Sequence, residues 1–161
     1  MSLRYKILVL GASYGSLFAA KLALAGHSAH MVCLPEEASV INRQGAIVRL
    51  PLRGQPMPLE LNTKNMPGTV TAGSPANATP GDYDLVVLAM QEPQYQSNDI
   101  TELVARIGAA EKPCLSLMNM PPLPYLRRIE TINPEPLRAS YTDADVWDQL
   151  DPRLVLSLIH I

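Results

Sequence analysis

The sequence is poor in the residues that many chemistries require. Its 161 residues include two cysteines and three histidines. Cys33 and Cys114 each sit in an apolar run, with no CxxC and no Cys/His cluster. That pattern offers no metal site and fits small buried hydrophobes in a reducing compartment. No lysine/arginine cluster stands out and the formal net charge is only -2, so nucleic acid is not an expected partner. Long hydrophobic runs are also missing. ILVL and DLVVLAM are strand-sized, far below the roughly 20 residues that span a bilayer, so no membrane is expected. The charged opening SLRYKILVLG lacks the regions of a signal peptide, which makes the cytoplasm the expected compartment. The composition is 47% hydrophobic and 17% charged, the balance of one globular domain with a real core rather than of a disordered chain.

Strands and helices alternate along most of the length. YKILVL is a nearly continuous apolar run ending in glycine, the pattern of a strand covered on both faces of a parallel sheet. SLFAAKLALAGH follows as a helix. Leu17, Ala20 and Leu24, and Phe18, Lys21 and Ala25, fall on neighbouring stripes, and Gly26 is a natural stop. SAHMVCL reads as a second strand and PEEASVINRQG as a short helix, with Pro35 at its start, acids in its first turn and Gly45 beyond its end. AIVRL and MPLELN are short strands around the turn RGQP, and TVTAG is a further candidate. SPANATPGDY is a loop or a poor helix. DLVVLAM is the second strong buried strand, and NDITELVARIGAA is a helix capped by Asn98 or Asp99, with Glu102 close to the capping-box position. PCLSLMN is a third buried strand, from which MPPLPYL turns away. The proline-rich stretches 51–80 and 121–136 read as ordered loops, and no internal repeat is seen. The expected class is α/β, a Rossmann-type, doubly wound and mainly parallel sheet.

The stretch ILVLGASYGSLFAAKLALAG contains two motifs at once. GASYG matches G-x-S-x-G, the nucleophile elbow of a serine hydrolase. It also matches a dinucleotide turn, G-x-G-x-x-G, with serines replacing two of the three glycines. An elbow needs an acid and then a histidine later in the chain. Here His27 and His30 follow Ser13 almost at once, and His160 lies in an anomalous tail. The elbow also normally follows several strands, whereas GASYG follows the first. The dinucleotide motif has its full context: it follows a strand, opens a helix and leads to a second strand within about 30 residues. Gly11 supplies the tight turn and, with Gly15, the flexibility. Ser13 is small enough to approach phosphate and can add a hydrogen bond. Ser16 replaces the third glycine where helix and strand pack closely, and Tyr14 points outward over a cofactor or into solvent. The competing possibility is an α/β domain whose first turn is merely tight. Past the second strand, where an acid selects NAD or a base NADP, stands Leu34. Glu36, Glu37 and Arg43 follow and read as helix-surface charge, so both NAD and NADP remain open.

The segment KILVLGASYGSLFAAKLALAGHSAHMVCLPEEASVINRQGAIV resembles the opening of ketopantoate reductases (2-dehydropantoate 2-reductases). The likeness resumes at DYDLVVLAMQ and at PCLSLMN, and covers roughly residues 4–120. Opine-dehydrogenase-like proteins, which often carry a shorter glycine turn, are close rivals. Both families join an N-terminal Rossmann domain to a helical second domain, with substrate in the cleft between, and run to about twice this length. The resemblance implies that the turn Gly11, Ala12, Ser13, Tyr14, Gly15 and Ser16 holds the pyrophosphate of NADP or NAD. Leu34 takes the place of the family's NADP-favouring arginine. Met90 and Gln91 follow the strand on the cofactor side, Gln91 in the place of the family's lysine, where an amide can hydrogen-bond but carries no charge. Asn119 takes the place of the family's asparagine, against the nicotinamide ribose or substrate. The glycine after it is replaced by Met120, ahead of Pro121 and Pro122.

The expectations follow from these matches. Residues 1–120 are a NAD(P)-binding Rossmann domain. Residues 121–155 complete it or connect to a helical domain that is missing. Residues 156–161, LSLIHI, are expected to be a non-native tail, because CTGTCTCTTATACACATC, the transposon end used to build sequencing libraries, encodes them. The alternative is a short hydrophobic final strand. The implied function is the nucleotide-binding half of an NAD(P)-dependent oxidoreductase that reduces a small-molecule keto acid or imine, forms a homodimer when full length, and takes its catalytic lysine from the missing domain. A non-catalytic NAD(P)-binding or sensing module is the alternative, favoured by Gln91 and Met120-Pro121-Pro122.

Overall fold

The computed structural model describes residues 3–158. The chain runs β1 (Lys6–Leu10), α1 (Gly15–Leu24), β2 (Ser28–Val32), α2 (Pro35–Gln44), an antiparallel hairpin of β3 (Ile47–Leu50) and β4 (Leu59–Asn62), then β5 (Thr69–Gly73), β6 (Leu85–Leu88), α3 (Asn98–Ala109), β7 (Cys114–Ser116), the one-turn α4 (Leu123–Leu126) and β8 (Val155–Ser157). Six strands form one sheet in the order β5-β2-β1-β6-β7-β8, and every neighbouring pair is parallel. Counted within that sheet alone the order is 3-2-1-4-5-6, the doubly wound order of dinucleotide-binding folds. The expected α/β class is the observed one.

Alternation along β1 builds the two layers. Leu8 and Leu10 point to the face that holds α3, with Leu103, Val104 and Ile107. Ile7 and Val9 point to the opposite face, with Ala19 and Ala23 of α1 and Ile41 of α2. Ile7, Leu8, Val9 and Leu10 are each at most 2% exposed, as a central parallel strand requires. In α3, Ile100, Leu103, Val104 and Ile107 recur at helical spacing and are all buried.

One local reading changes and two are filled in. The buried side of α1 is its small one, Gly15, Ala19, Ala20 and Ala23, while Leu17 and Leu24 are 38% and 57% exposed. Small residues let the helix approach the sheet closely, which outweighs burying two leucines. At the start of α3 neither Asn98 nor Asp99 is the cap. Ser97 holds that position in extended conformation, and its hydroxyl donates back to the Gln94 carbonyl of the preceding 3-10 turn (3.3 Å). SPANATPGDY forms two 3-10 turns, Pro75–Asn77 and Pro80–Asp82.

Residues 121–154 pack on the α3 face through α4 and a series of 3-10 turns. Trp147, fully buried, stacks against Tyr95 with ring centroids 4.8 Å apart. The chain then enters β8, where Leu156 pairs with Leu115 and Ser157 with Ser116. Residues 156–158 of LSLIHI thus lie at the sheet edge, and residues 159–161, His160 among them, lie outside the described residues. Among the described residues no helix is long and apolar enough to cross a membrane, and no group of three or more His, Cys, Asp or Glu is placed to hold a metal ion.

Candidate functional site: a cleft at the sheet switch point

The strand order itself creates the cleft. From β1 the chain leaves toward the α1 face, and from its neighbour β6 toward the α3 face. The two connections diverge, and a crevice opens beyond the carboxyl ends of these strands. A cleft of about 680 Å³ occupies that position. Its floor is the turn after β1 (Gly11, Ala12, Ser13, Tyr14) and the segment after β6 (Ala89, Met90, Gln91). Leu34 and Pro35 after β2 form one wall, and Ser74 and Pro75 after β5 extend it.

The turn is fixed from both sides. The Gly11 amide donates to the Val32 carbonyl (2.9 Å), and the Ala89 amide donates to the Leu10 carbonyl (3.0 Å). Gly11 has φ +101°, and a Cβ there would lie 2.6 Å from Met90 Cγ and 3.0 Å from the Ala89 carbonyl oxygen. Only glycine meets both the conformation and the contact. The second close approach is at Gly15, where a Cβ would come within 2.6 Å of Val9 Cγ1. Gly15, not Ser16, is therefore where helix and strand pack most tightly; the turn is one residue shorter than the three-glycine pattern. The Ser16 hydroxyl bonds back to the Ala12 carbonyl, and Ser16 lines a neighbouring groove between α1, α2 and β3 instead of the cleft.

What the turn leaves open is a set of donors. The backbone N–H groups of Ala12, Ser13, Tyr14 and Gly15 donate to no protein acceptor among the described residues. Tyr14 precedes α1 without a side-chain cap, and the helix has no acid in its first turn. Unused amides and the positive end of a helix dipole at the mouth of a cleft suit an anion. The cleft wall holds no lysine or arginine; its charged side chains are Glu37 and Asp99. No cationic side chain is there to hold a phosphate, which leaves the backbone amides and neutral hydroxyls such as Ser13.

The sequence-derived residues divide. Gly11, Ala12, Ser13, Tyr14, Leu34, Met90 and Gln91 meet in one cleft, with Gly15 just behind the turn. Asn119 does not join them: it is exposed, past the end of β7, and is not part of the cleft wall. Glu37, read from sequence as surface charge, lines the cleft, and its Oε2 accepts from the Leu34 amide (3.2 Å). Ser74, Pro75, Gln94 and Asp99 were not singled out. The first two reach the site only because β5 pairs with β2, a contact about 40 residues apart in sequence that no local pattern announces. Cys33 also lines the cleft, and burial, followed by the Glu37 carboxylate, pushes its thiol up to about 11. That keeps the thiol neutral near pH 7 and weakens it as a nucleophile. The exit from β6 is secured from below. Glu92, buried, accepts from the Thr142 amide (3.0 Å) and hydroxyl (2.9 Å).

Comparison with known proteins bears on the fold. No protein-family model matches the chain, and no curated protein matches it by sequence. Among solved structures it is similar to one described as a ketopantoate reductase from Ralstonia solanacearum MolK2, with TM-score 0.62 and 18% identity over 96% of this chain and 44% of that one. It is also similar to one described as the 2-dehydropantoate 2-reductase of Bacillus subtilis, with TM-score 0.50 and 21% identity over 80% of this chain and 38% of that one. The chain thus spans less than half the length of either. It is similar in fold to part of these ketopantoate reductases.

Proposed function

We propose that this chain is the nucleotide-binding half of an NAD(P)-dependent oxidoreductase that reduces a small keto acid or imine. The observation that carries this reading is the turn of unused amides from Ala12 to Gly15, opening on a switch-point cleft beside a glycine that tolerates no side chain. The residues fit a dinucleotide. The amides and the start of α1 take the pyrophosphate. Leu34, Pro35 and Pro75 give apolar walls for a flat base. Met90 and Gln91 lie on the β6 side of the cleft, toward the nicotinamide end. When bound, the coenzyme supplies a hydride.

The chain's own contribution is to bind and orient. Its amides replace water around the phosphates, Gly11 lets the backbone come close, and the Gln91 side chain offers a hydrogen-bonding amide without charge. None of the cleft-wall side chains is a lysine, arginine or histidine; in this reading the second half of a longer protein supplies the proton for a reduced carbonyl. Titration with NADH and NADPH, followed by nicotinamide fluorescence, tests the reading. Saturable binding of at least one of them, displaced by ADP, is expected, with no oxidation when 2-keto acids are added to this chain alone. Failure of both coenzymes to bind overturns it.

A further inference from the structure

Resting on that reading, we propose that Glu37 makes the cleft selective for NAD(H) over NADP(H), by accepting from a free ribose hydroxyl and repelling a 2′-phosphate. Dinucleotide folds place the adenosine ribose beyond the end of the second strand, where an acid suits hydroxyls and an arginine suits phosphate. Here β2 ends at Val32 and the first outward residue of the wall is Leu34, 65% exposed and uncharged. One turn on, Glu37 is held at that wall. Its Oε2 accepts from the Leu34 amide at 3.2 Å, while Oε1 has no protein donor among the described residues. One acceptor is fixed and the other is free for a ligand.

The surroundings do not offset the charge. Glu37 and Asp99 are the charged side chains of the cleft, and no lysine or arginine joins them. Arg43, the base on α2, lies in the last turn of that helix and is not part of the cleft wall. The positive end of α2 could attract phosphate, but Glu36 and Glu37 occupy its first turn and cancel that field. A 2′-phosphate would therefore meet a carboxylate with no counter-ion, whereas a ribose hydroxyl would gain a charge-assisted acceptor.

The test compares dissociation constants for NADH and NADPH in the wild-type chain, in Glu37→Gln and in Leu34→Arg, with circular dichroism confirming that each variant is folded. Glutamine keeps an oxygen for the Leu34 amide and removes the charge. The wild type is expected to bind NADH at least about tenfold tighter. Glu37→Gln should weaken NADH about fivefold, as a charged acceptor becomes neutral, and should tighten NADPH, so the preference shrinks by about tenfold or more. Leu34→Arg should tighten NADPH further. Equal or tighter NADPH binding by the wild type overturns the proposal and leaves the proposed function standing, as does a ratio unchanged in Glu37→Gln. Binding of neither coenzyme overturns both.

Discussion

Gly11→Ala is the smallest change that attacks the turn. Any L-residue at φ +101° pays about 1–3 kcal/mol of backbone strain. The added methyl also meets Met90 Cγ at 2.6 Å and the Ala89 carbonyl oxygen at 3.0 Å. The Met90 side chain can swing aside, but the Ala89 carbonyl belongs to the segment leaving β6 and cannot, so overpacking adds about 1–3 kcal/mol. At about 2–4 °C per kcal/mol for a chain of this size, the melting temperature should fall by roughly 5–20 °C. A stability in the middle of the typical range of about 5–15 kcal/mol exceeds that loss and leaves the variant folded at 10 °C. Gly26→Ala is the control. Gly26 also has positive φ, +87°, but a Cβ there meets nothing within 4 Å, so it should pay strain alone. Calorimetry gives the stability of each, and NADH titration at 10 °C gives binding. Gly11→Ala should lose at least about tenfold in affinity while Gly26→Ala keeps it. Equal binding by both variants, or a Gly11→Ala melt no lower than that of Gly26→Ala, would refute the reasoning.

The two thiols should respond differently to a small alkylating agent. Cys33, half-buried with its thiol pushed up to about 11, should react slowly at pH 8 and faster as pH approaches that value, and saturating NADH should slow it further because it lines the cleft. Cys114, buried and pushed up to about 12, should react only when the chain unfolds; mass spectrometry of labelled peptides distinguishes them. Hydrogen bonding from Arg138 holds the Asp148 carboxyl below its ordinary value, with Arg127 assisting. A depressed carboxylate stabilises the fold above the unfolded value near 4 and loses that contribution as pH falls below it. Asp148→Asn should therefore flatten the acid limb of a urea-denaturation series below pH 4. Because Asp148 is 43% exposed, the substitution should cost at most about 1 kcal/mol at pH 7.

Sequence reading worked where one segment carries its own evidence. β1 and β6 are apolar runs that can be satisfied only by burial on both faces, and α3 repeats its apolar residues at helical spacing, so their type was plain. The glycine turn was plain too, because a strand before it and a helix after it leave few conformations. What stayed hidden depends on distant pairing. Pro75 joins the cleft through the β2–β5 ladder, and Asn119, past the end of β7, lies outside its wall. The inward side of α1 was not legible for a different reason. Leucines carry more hydrophobic area than alanines, but a helix crossing close over β1 needs small residues at the contact, and pattern alone does not report that distance. Residues 121–154 show no periodicity to read; they are ordered by burying Trp147 and Leu150 beneath α3.

The central claim is that backbone amides of one turn hold the coenzyme's phosphates. Backbone amide shifts of the isotope-labelled chain, measured during titration with NADH, test it most directly. The largest changes are predicted at Ala12, Ser13, Tyr14 and Gly15, with smaller ones at Leu34 and Gln91. Saturable binding whose largest shifts cluster elsewhere, or a turn that does not respond at saturation, would contradict the account.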